Sequence, residues 1–144
     1  MFLENLTNRG ATPALVNTLV FNEARLRMIA ENIANIHTPG YRTKQLDTKA
    51  FQRALRVALD AKGSDPNKQF VVQSRGEAET KRDGRLQVSP KLAPVENILF
   101  HDGTNQSIER QMANLAETGM MHELTTTLLS GYFNVLRKAI RGTV

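Results

Sequence analysis

The first third of the chain carries a long amphipathic pattern that predicts a helix. Apolar residues recur there in alternating steps of four and three, which is the heptad spacing of a coiled-coil seam. In this series Asn22 is the one polar member, and the full set is Leu15, Leu19, Asn22, Leu26, Ile29, Ile33 and Ile36. Thr12 suits the capping position and Pro13 the first turn. The pattern predicts a helix over 12–35, about 35 Å long at the usual rise per residue.

This helix is followed by an abrupt stop. Pro39 disfavours helical backbone at Thr38, and Gly40 permits the positive φ of a tight Pro-Gly turn. Asn32 and Asn35 lie where the helix ends, and two interpretations are open. Their amides satisfy unpaired carbonyls at the helix end, or they hold the turn in one shape and fix how the helix meets its neighbours.

A shorter helix is predicted over 48–62. Its apolar face carries Phe51, Leu55, Ala58 and Leu59. Thr48 is the expected N-cap, and Gly63 is the expected stop.

The helical pattern dissolves in the next segment, 64–106. Proline and glycine interrupt it repeatedly, and short strands are predicted at 70–72, 86–88 and 95–100. A turn is predicted at 81–85. We expect this insert to be loose, partly extended or disordered, because so long a loop rarely has a core of its own.

The C-terminal segment predicts a second long helix over 107–140, with Ser107 as its cap. Its apolar positions form a stripe that broadens after Gly119, and they are Ile108, Met112, Leu115, Met121, Leu124, Leu128, Leu129, Tyr132, Val135, Leu136 and Ile140. This stripe is wider than one partner helix can cover. The pattern therefore predicts that helices of other copies or other proteins complete the core.

Together these elements predict a mainly α fold. The two long heptad-like terminal helices are expected to pair as an antiparallel coiled coil or helical bundle. The expected segments of this one structural domain are the N-terminal helix with its turn, the short helix, the flexible insert and the C-terminal helix, at 1–47, 48–63, 64–106 and 107–144.

Composition narrows the functional classes. The 144 residues are 40% hydrophobic and 23% charged, which is typical of a globular protein. The net charge of +5 is spread along the chain rather than clustered, so nucleic acid is not an expected partner. No apolar run reaches the ~18 residues of a membrane span, and the N-terminus lacks the pattern of a cleavable signal peptide.

No constellation for catalysis is present in the sequence. The histidines at 37, 101 and 122 are scattered without metal-ligand spacing, and cysteine is absent. No nucleophile elbow or glycine-rich phosphate loop occurs. We therefore predict no catalytic residue, no metal site, no cofactor and no enzymatic activity.

The residues at the end of the first helix resemble a known motif. The stretch 32–41 reads N-I-A-N-I-H-T-P-G-Y, and it closely resembles the N-terminal signature of bacterial flagellar rod and hook proteins, roughly N-x-A-N-x-x-T-P-G-Y. The resemblance extends over 25–56 and 101–142. Within that family, the C-terminal helix is most similar to that of a small proximal rod protein, and it lacks the Arg-Ala-Tyr motif of a sister proximal rod protein.

The resemblance implies a structural subunit of the flagellar basal-body rod, in the periplasmic space. It would be exported unfolded by the flagellar type III apparatus without a cleavable signal peptide, and would assemble into the axial tube for motility. The implied partners are copies of itself, other rod proteins, membrane-ring or export-gate adaptor proteins of the basal body, and the export apparatus.

The resemblance and the helix patterns together give two sets of candidate functional residues. The signature turn comprises Asn32, Ala34, Asn35, Thr38, Pro39, Gly40 and Tyr41. The expected assembly interface comprises Leu15, Leu19, Leu26, Ile29, Ile33, Ile108, Met112, Leu115, Leu124, Leu128, Phe133, Leu136 and Ile140.

Two alternatives stay open at this point. A cytoplasmic coiled-coil adaptor or export chaperone would share the helices without needing the turn, and co-purification with basal bodies distinguishes it from a rod subunit. A nucleic-acid binder draws only on the pI of 9.9, and steeply salt-dependent retention on DNA would reveal it.

Overall fold

The computed structural model describes residues 10–63, 65, 67–94 and 108–142. Its three helices are α1 (Thr12–Ala34), α2 (Thr48–Lys62) and α3 (Ile108–Arg141). The short strands are β1 (Lys44–Gln45), β2 (Gln73–Ser74), β3 (Ala78–Thr80), β4 (Leu86–Val88) and β5 (Lys91–Leu92). The fold is mainly helical, as the sequence predicts, and the two long helices pack together.

The strands form two small antiparallel sheets. In the first, the order is β2-β3-β4, with Gln73 opposite Glu79 and Thr80 opposite Leu86. In the second, β1 pairs with β5, and Lys44 lies opposite Leu92. Strand β5 of the insert is thereby tied to the chain just beyond the turn that follows α1.

The core uses a face of α1 that the predicted seam does not contain, together with Ile29 of that seam. Ala14, Phe21 and Met28 recur every seven residues and are all buried. The ring of Phe21 stacks on that of Phe51 in α2, with centroids 4.0 Å apart and planes 2° from parallel. Helix α1 therefore has two apolar faces, because it contacts both α3 and the layer formed by α2 and the sheet.

Part of the insert differs from the loose segment expected. Phe70, Val72 and Ala78 are buried in the same core as Phe21. The predicted strand at 70–72 lies instead at β2, while the predicted strand at 86–88 and the turn at 81–85 are confirmed. This part is packed because alternate residues of the strands point into the core. The strand expected at 95–100 lies outside the described residues.

The face that α3 buries is polar, which corrects the expectation of an apolar seam. Its buried residues are Gln111, Thr118 and Thr125, spaced seven apart. The threonine hydroxyls donate to the carbonyls of Asn114 and Met121 at 2.6 and 2.7 Å, so they are satisfied within the helix. The large apolar side chains that α3 leaves exposed are Ile108, Met112, Met120, Met121, Leu124, Leu128, Val135 and Ile140.

The helix ends show which capping predictions hold. Helix α2 is capped by Asp47, whose carboxylate accepts from the Ala50 amide at 2.9 Å, rather than by Thr48. It ends at Gly63 with φ +55°, as predicted. The Thr12 hydroxyl makes no capping bond to α1, since helical backbone already begins at that residue. Ser107 lies outside the described residues.

Among the helices described, none combines the length and apolarity that crossing a membrane requires.

Candidate functional site

The residues from Asn32 to Tyr41, here called the signature turn, form a compact reversal after α1. The helix ends at Ala34, and the amides of Thr38 and Tyr41 then donate to the carbonyls of Asn35 and Thr38 at 2.9 and 3.1 Å. Gly40 has a φ of +76°, the positive value predicted for it. The backbone therefore closes two successive tight turns.

Asn35 reinforces the end of the helix. Its side-chain amide nitrogen donates to the Glu31 carbonyl at 2.9 Å, and its backbone amide donates to the same carbonyl at 3.1 Å. Its amide oxygen accepts from the Thr38 hydroxyl at 3.3 Å. Asn35 thus links the last turn of α1 to the first residues of the reversal.

Asn32 has a different role, because its amide reaches across the turn. This residue is 1% exposed, and its Nδ2 donates to the Lys44 carbonyl at 2.8 Å. Its Oδ1 accepts from the Lys44 backbone amide and the Tyr41 hydroxyl, each at 3.0 Å. The side chain therefore pairs with the backbone N–H and C=O of one residue of β1, as a neighbouring strand would. Of the two open interpretations, Asn32 fits the turn-holding part of the second. Asn35 fits the first only in part, because the Glu31 carbonyl to which it donates also accepts from a backbone amide.

An ion pair closes the same site. The Lys44 ammonium lies 2.6 Å from the Glu31 carboxylate, and this hydrogen bond raises the pKa of Lys44 above its ordinary value. The pKa of Tyr41 is also raised, mainly because burial disfavours the phenolate and then because of the nearby Glu31 carboxylate. The Tyr41 hydroxyl stays protonated at neutral pH and able to donate to Asn32.

The tip of the signature turn is exposed, in contrast with its base. His37, Thr38, Pro39 and Gly40 all lie at the surface, as does Ala34. Nothing in the described structure explains an alanine at position 34. The arrangement combines a hydrogen-bonded base with a projecting tip, which suits fixing the chain's direction rather than acid–base chemistry. Within the described residues, no cluster of His, Asp or Glu has the geometry to hold a metal ion.

The expected assembly residues divide into three groups. Ile29 is buried in the core, and Ile33 and Leu115 pack against that core, so all three contribute to the fold of the single chain. Five more are half-buried: Leu15, Leu19, Leu26, Phe133 and Leu136. The remaining five are exposed on α3: Ile108, Met112, Leu124, Leu128 and Ile140.

The exposed apolar residues of α3 include a regular seam that the expected interface only partly contained. Met121, Leu124, Leu128, Gly131 and Val135 follow steps of three, four, three and four, and we call them the outer stripe. Its four apolar side chains are 41–67% exposed. At 100° per residue, the stripe lies about 100° round the helix from Thr118 and Thr125. The sequence signal for it was the same heptad spacing, once Gly131 is counted as a member.

Comparison with known proteins adds to this geometry. No protein-family model matches the chain. The flagellar basal body rod protein FlgB of Borrelia hermsii is 28% identical over 125 residues, which cover 81% of this chain and 85% of that protein. This similarity confirms the resemblance to a proximal rod protein that the motif and the C-terminal helix indicated, and the chain is FlgB-like.

Proposed function

We propose that this chain is a non-enzymatic structural subunit of the flagellar basal-body rod, which packs through its terminal helices into the proximal part of the axial tube. The observation that carries the proposal is the outer stripe, a heptad seam with no facing helix in the described structure. The similarity to a FlgB protein over most of both chains supports the same conclusion.

Within the subunit, the proposal includes an antiparallel coiled coil of α1 and α3. Arg25 and Glu117 are 3.4 Å apart, and Met28 and Ile29 line the same cavity as Gln111 and Asn114. Later positions of α1 therefore lie beside earlier positions of α3. The remaining seam positions of α3 are Leu115, His122 and Leu129, all half-buried.

The energetics of the outer stripe favour assembly with several neighbours at once. Fully burying a large apolar side chain contributes about 1.5–3 kcal/mol. The four side chains of the stripe are already about half covered, so complete burial would add roughly 3–6 kcal/mol in total. Association costs about 4–15 kcal/mol in lost freedom. One such contact barely offsets that cost, whereas a subunit surrounded in a tube makes several.

The signature turn serves the same assembly mechanically. Asn32 and the Lys44–Glu31 pair fix where the chain goes after α1. A fixed exit path lets every subunit present α2 and the sheets at the same angle to its helices, as a regular tube requires.

The setting that we propose follows the resemblance. The subunit would pass the flagellar type III export apparatus and reside in the rod within the periplasmic space. Its neighbours there would be copies of itself, other rod proteins and the membrane-ring or export-gate adaptor proteins of the basal body. The whole chain would act as one structural domain.

The test replaces two outer-stripe residues with charges, as Leu124→Asp with Leu128→Asp. The matched control is Thr127→Asp with Ser130→Asp, at exposed positions of α3 off the stripe. We expect both purified proteins to keep their thermal unfolding midpoints. In cells lacking the native gene, only the control should restore swimming and appear in isolated basal bodies.

Two results would count against the proposal. One is normal swimming of the stripe variant. The other is an unaltered chain that stays in the cytoplasm and never enters basal bodies, which is the behaviour of an adaptor or export chaperone.

A further inference from the structure

A groove of about 550 Å³ lies between α2 and the strand β2. Arg53, Ala54 and Val57 line it from the helix, and Val71, Ser74 and Arg75 line it from the strand side. None of these residues belongs to the outer stripe or the signature turn. The role proposed above therefore leaves the groove unexplained.

The apolar part of the groove is open to solvent. Val57 is 66% exposed and Val71 is 42% exposed, although both β-branched side chains lie beside a folded core. A partner that covers them gains apolar burial. Such a surface suits a peptide chain with apolar side chains better than it suits a free inorganic anion.

Two cations flank this apolar surface. In the part of the chain that the structure describes, neither Arg53 nor Arg75 forms an ion pair, whereas Arg25, Arg27 and Arg85 do. Arg75 is also the one non-glycine residue there with a positive φ, +45°. This backbone conformation is strained for an arginine, and here it places a guanidinium beside the groove.

A buried hydroxyl without a partner lies at the same place. Ser74 is 3% exposed, and its Oγ makes no hydrogen bond within the described residues. An unpaired buried hydroxyl destabilises the fold. A ligand that offers an acceptor to the Ser74 hydroxyl would supply the missing hydrogen bond.

The strand that borders the groove is also a sheet edge. In the order β2-β3-β4, strand β2 has a strand partner on one side only among the residues that the structure describes. The carbonyls of Val72 and Ser74 accept from Thr80 and Glu77 on the paired side, at 2.9 and 2.7 Å. By the alternation of an antiparallel strand, Val71 and Gln73 direct their backbone groups to the other side. An added strand would find donors and acceptors there.

We propose that this groove binds an extended, acidic segment of another protein. The segment adds to the edge of β2, its apolar side chains cover Val57 and Val71, and its carboxylate lies between Arg53 and Arg75 with the Ser74 hydroxyl as a further donor. This inference is independent of the rod proposal, because it uses neither terminal helix.

The experiment titrates the purified full-length chain, labelled with ¹⁵N, with a synthetic six-residue peptide. The peptide alternates valine and threonine around one central glutamate, and a second peptide carries glutamine instead. We expect the amide resonances of Val71 and Gln73 to shift on titration, and the glutamine peptide to bind at least twofold more weakly. Inorganic phosphate at millimolar concentration should not displace the peptide.

Variants separate specific recognition from general charge attraction. Arg53→Gln and Arg75→Gln should each weaken binding about two- to fivefold, as expected for a partly exposed ion pair. Arg56→Gln makes the same charge change at an exposed position of α2 outside the groove, and it should leave binding unchanged. Ser74→Ala should keep or raise the thermal midpoint of the free protein and still lower its affinity for the peptide.

Several outcomes would overturn the proposal: no shift at Val71 and Gln73 with millimolar peptide, equal binding of the glutamine peptide, an equal loss in Arg56→Gln, or displacement by phosphate. None of these depends on swimming. Failure here is thus distinct from failure of the outer-stripe test.

Discussion

The two long helices differ in which side chains they bury. Helix α1 buries Phe21 and Ile29, each only 1% exposed. Helix α3 buries Thr118 and Thr125 instead, and it leaves leucines such as Leu124 and Leu128 52% exposed. Burial of the apolar side chains of α1 therefore stabilises the single chain. Most of the apolar side chains of α3 stay exposed, and a partner that covered them would gain the corresponding stabilisation.

The contact between the helices follows from this difference. The buried threonines are satisfied by their own helix, so they add little to the attraction between α1 and α3. Two further polar atoms, Asn22 Nδ2 and His122 Nδ1, are buried without a partner in the described residues. If other helices pack against the outer stripe as proposed, we expect a helix held by such a seam to adjust its position on α1.

The largest expected effect comes from Phe21→Ala in α1. It removes a fully buried ring that stacks on Phe51, so the free energy of unfolding should fall by about 3–5 kcal/mol. The control is Leu124→Ala in α3, an exposed position where the change should stay within about 0.5 kcal/mol. Chemical denaturation of both variants measures the two values. Equal losses would abolish the contrast between the helices.

A smaller effect is expected from Asn32→Ala at the end of α1. The change leaves the backbone N–H and C=O of Lys44 and the Tyr41 hydroxyl without their partner. The free energy of unfolding should therefore fall by about 2–3 kcal/mol. Asn35→Ala should cost less, about 1 kcal/mol, because its bonds are half exposed. Denaturation compares the two, and backbone amide shifts of residues 37–44 report whether the turn keeps its shape. A larger loss in Asn35→Ala would contradict the role assigned to Asn32.

The sequence predicts the residues of the signature turn better than it predicts their contacts. Local rules identified Pro39 and Gly40 and the asparagines at the helix end, because a proline, a glycine and a helix end act on their immediate neighbours. Ala34 and Tyr41 entered only through the resemblance to the rod and hook signature. The partners of Asn32 were not identified, since Lys44 reaches it only after the chain reverses. A local pattern does not specify which peptide a buried amide will meet.

The helix faces also show what a local pattern leaves open. Ala14, Phe21 and Met28 are spaced seven apart and form a second apolar stripe on α1, which the prediction of a single seam did not include. On α3 the assembly interface of apolar residues stays a prediction, and the residues that the helix buries within the single chain are Gln111, Thr118 and Thr125. Hydrophobicity predicts that a side chain will be covered, and it does not say by which molecule.

The smallest expected effect is that of Gly131→Ala in α3. It separates the fold of the single chain from assembly, because the predicted changes in stability and in assembly have opposite signs. Gly131 lies on the outer stripe, and a Cβ added there would meet nothing within 4 Å. Gly131→Ala should therefore stabilise the single chain by about 1 kcal/mol through helix propensity. In the assembled rod the same methyl group would hold a facing helix away, so swimming should decline.

Gly119→Ala is the matched control for that change. It lies in the same helix, its added Cβ also meets nothing within 4 Å, and it is off the outer stripe. It should give the same gain in thermal stability with normal swimming. If both variants swim alike, close approach at Gly131 has no part in assembly. If neither variant is more stable, α3 is not helical at these glycines in the free chain.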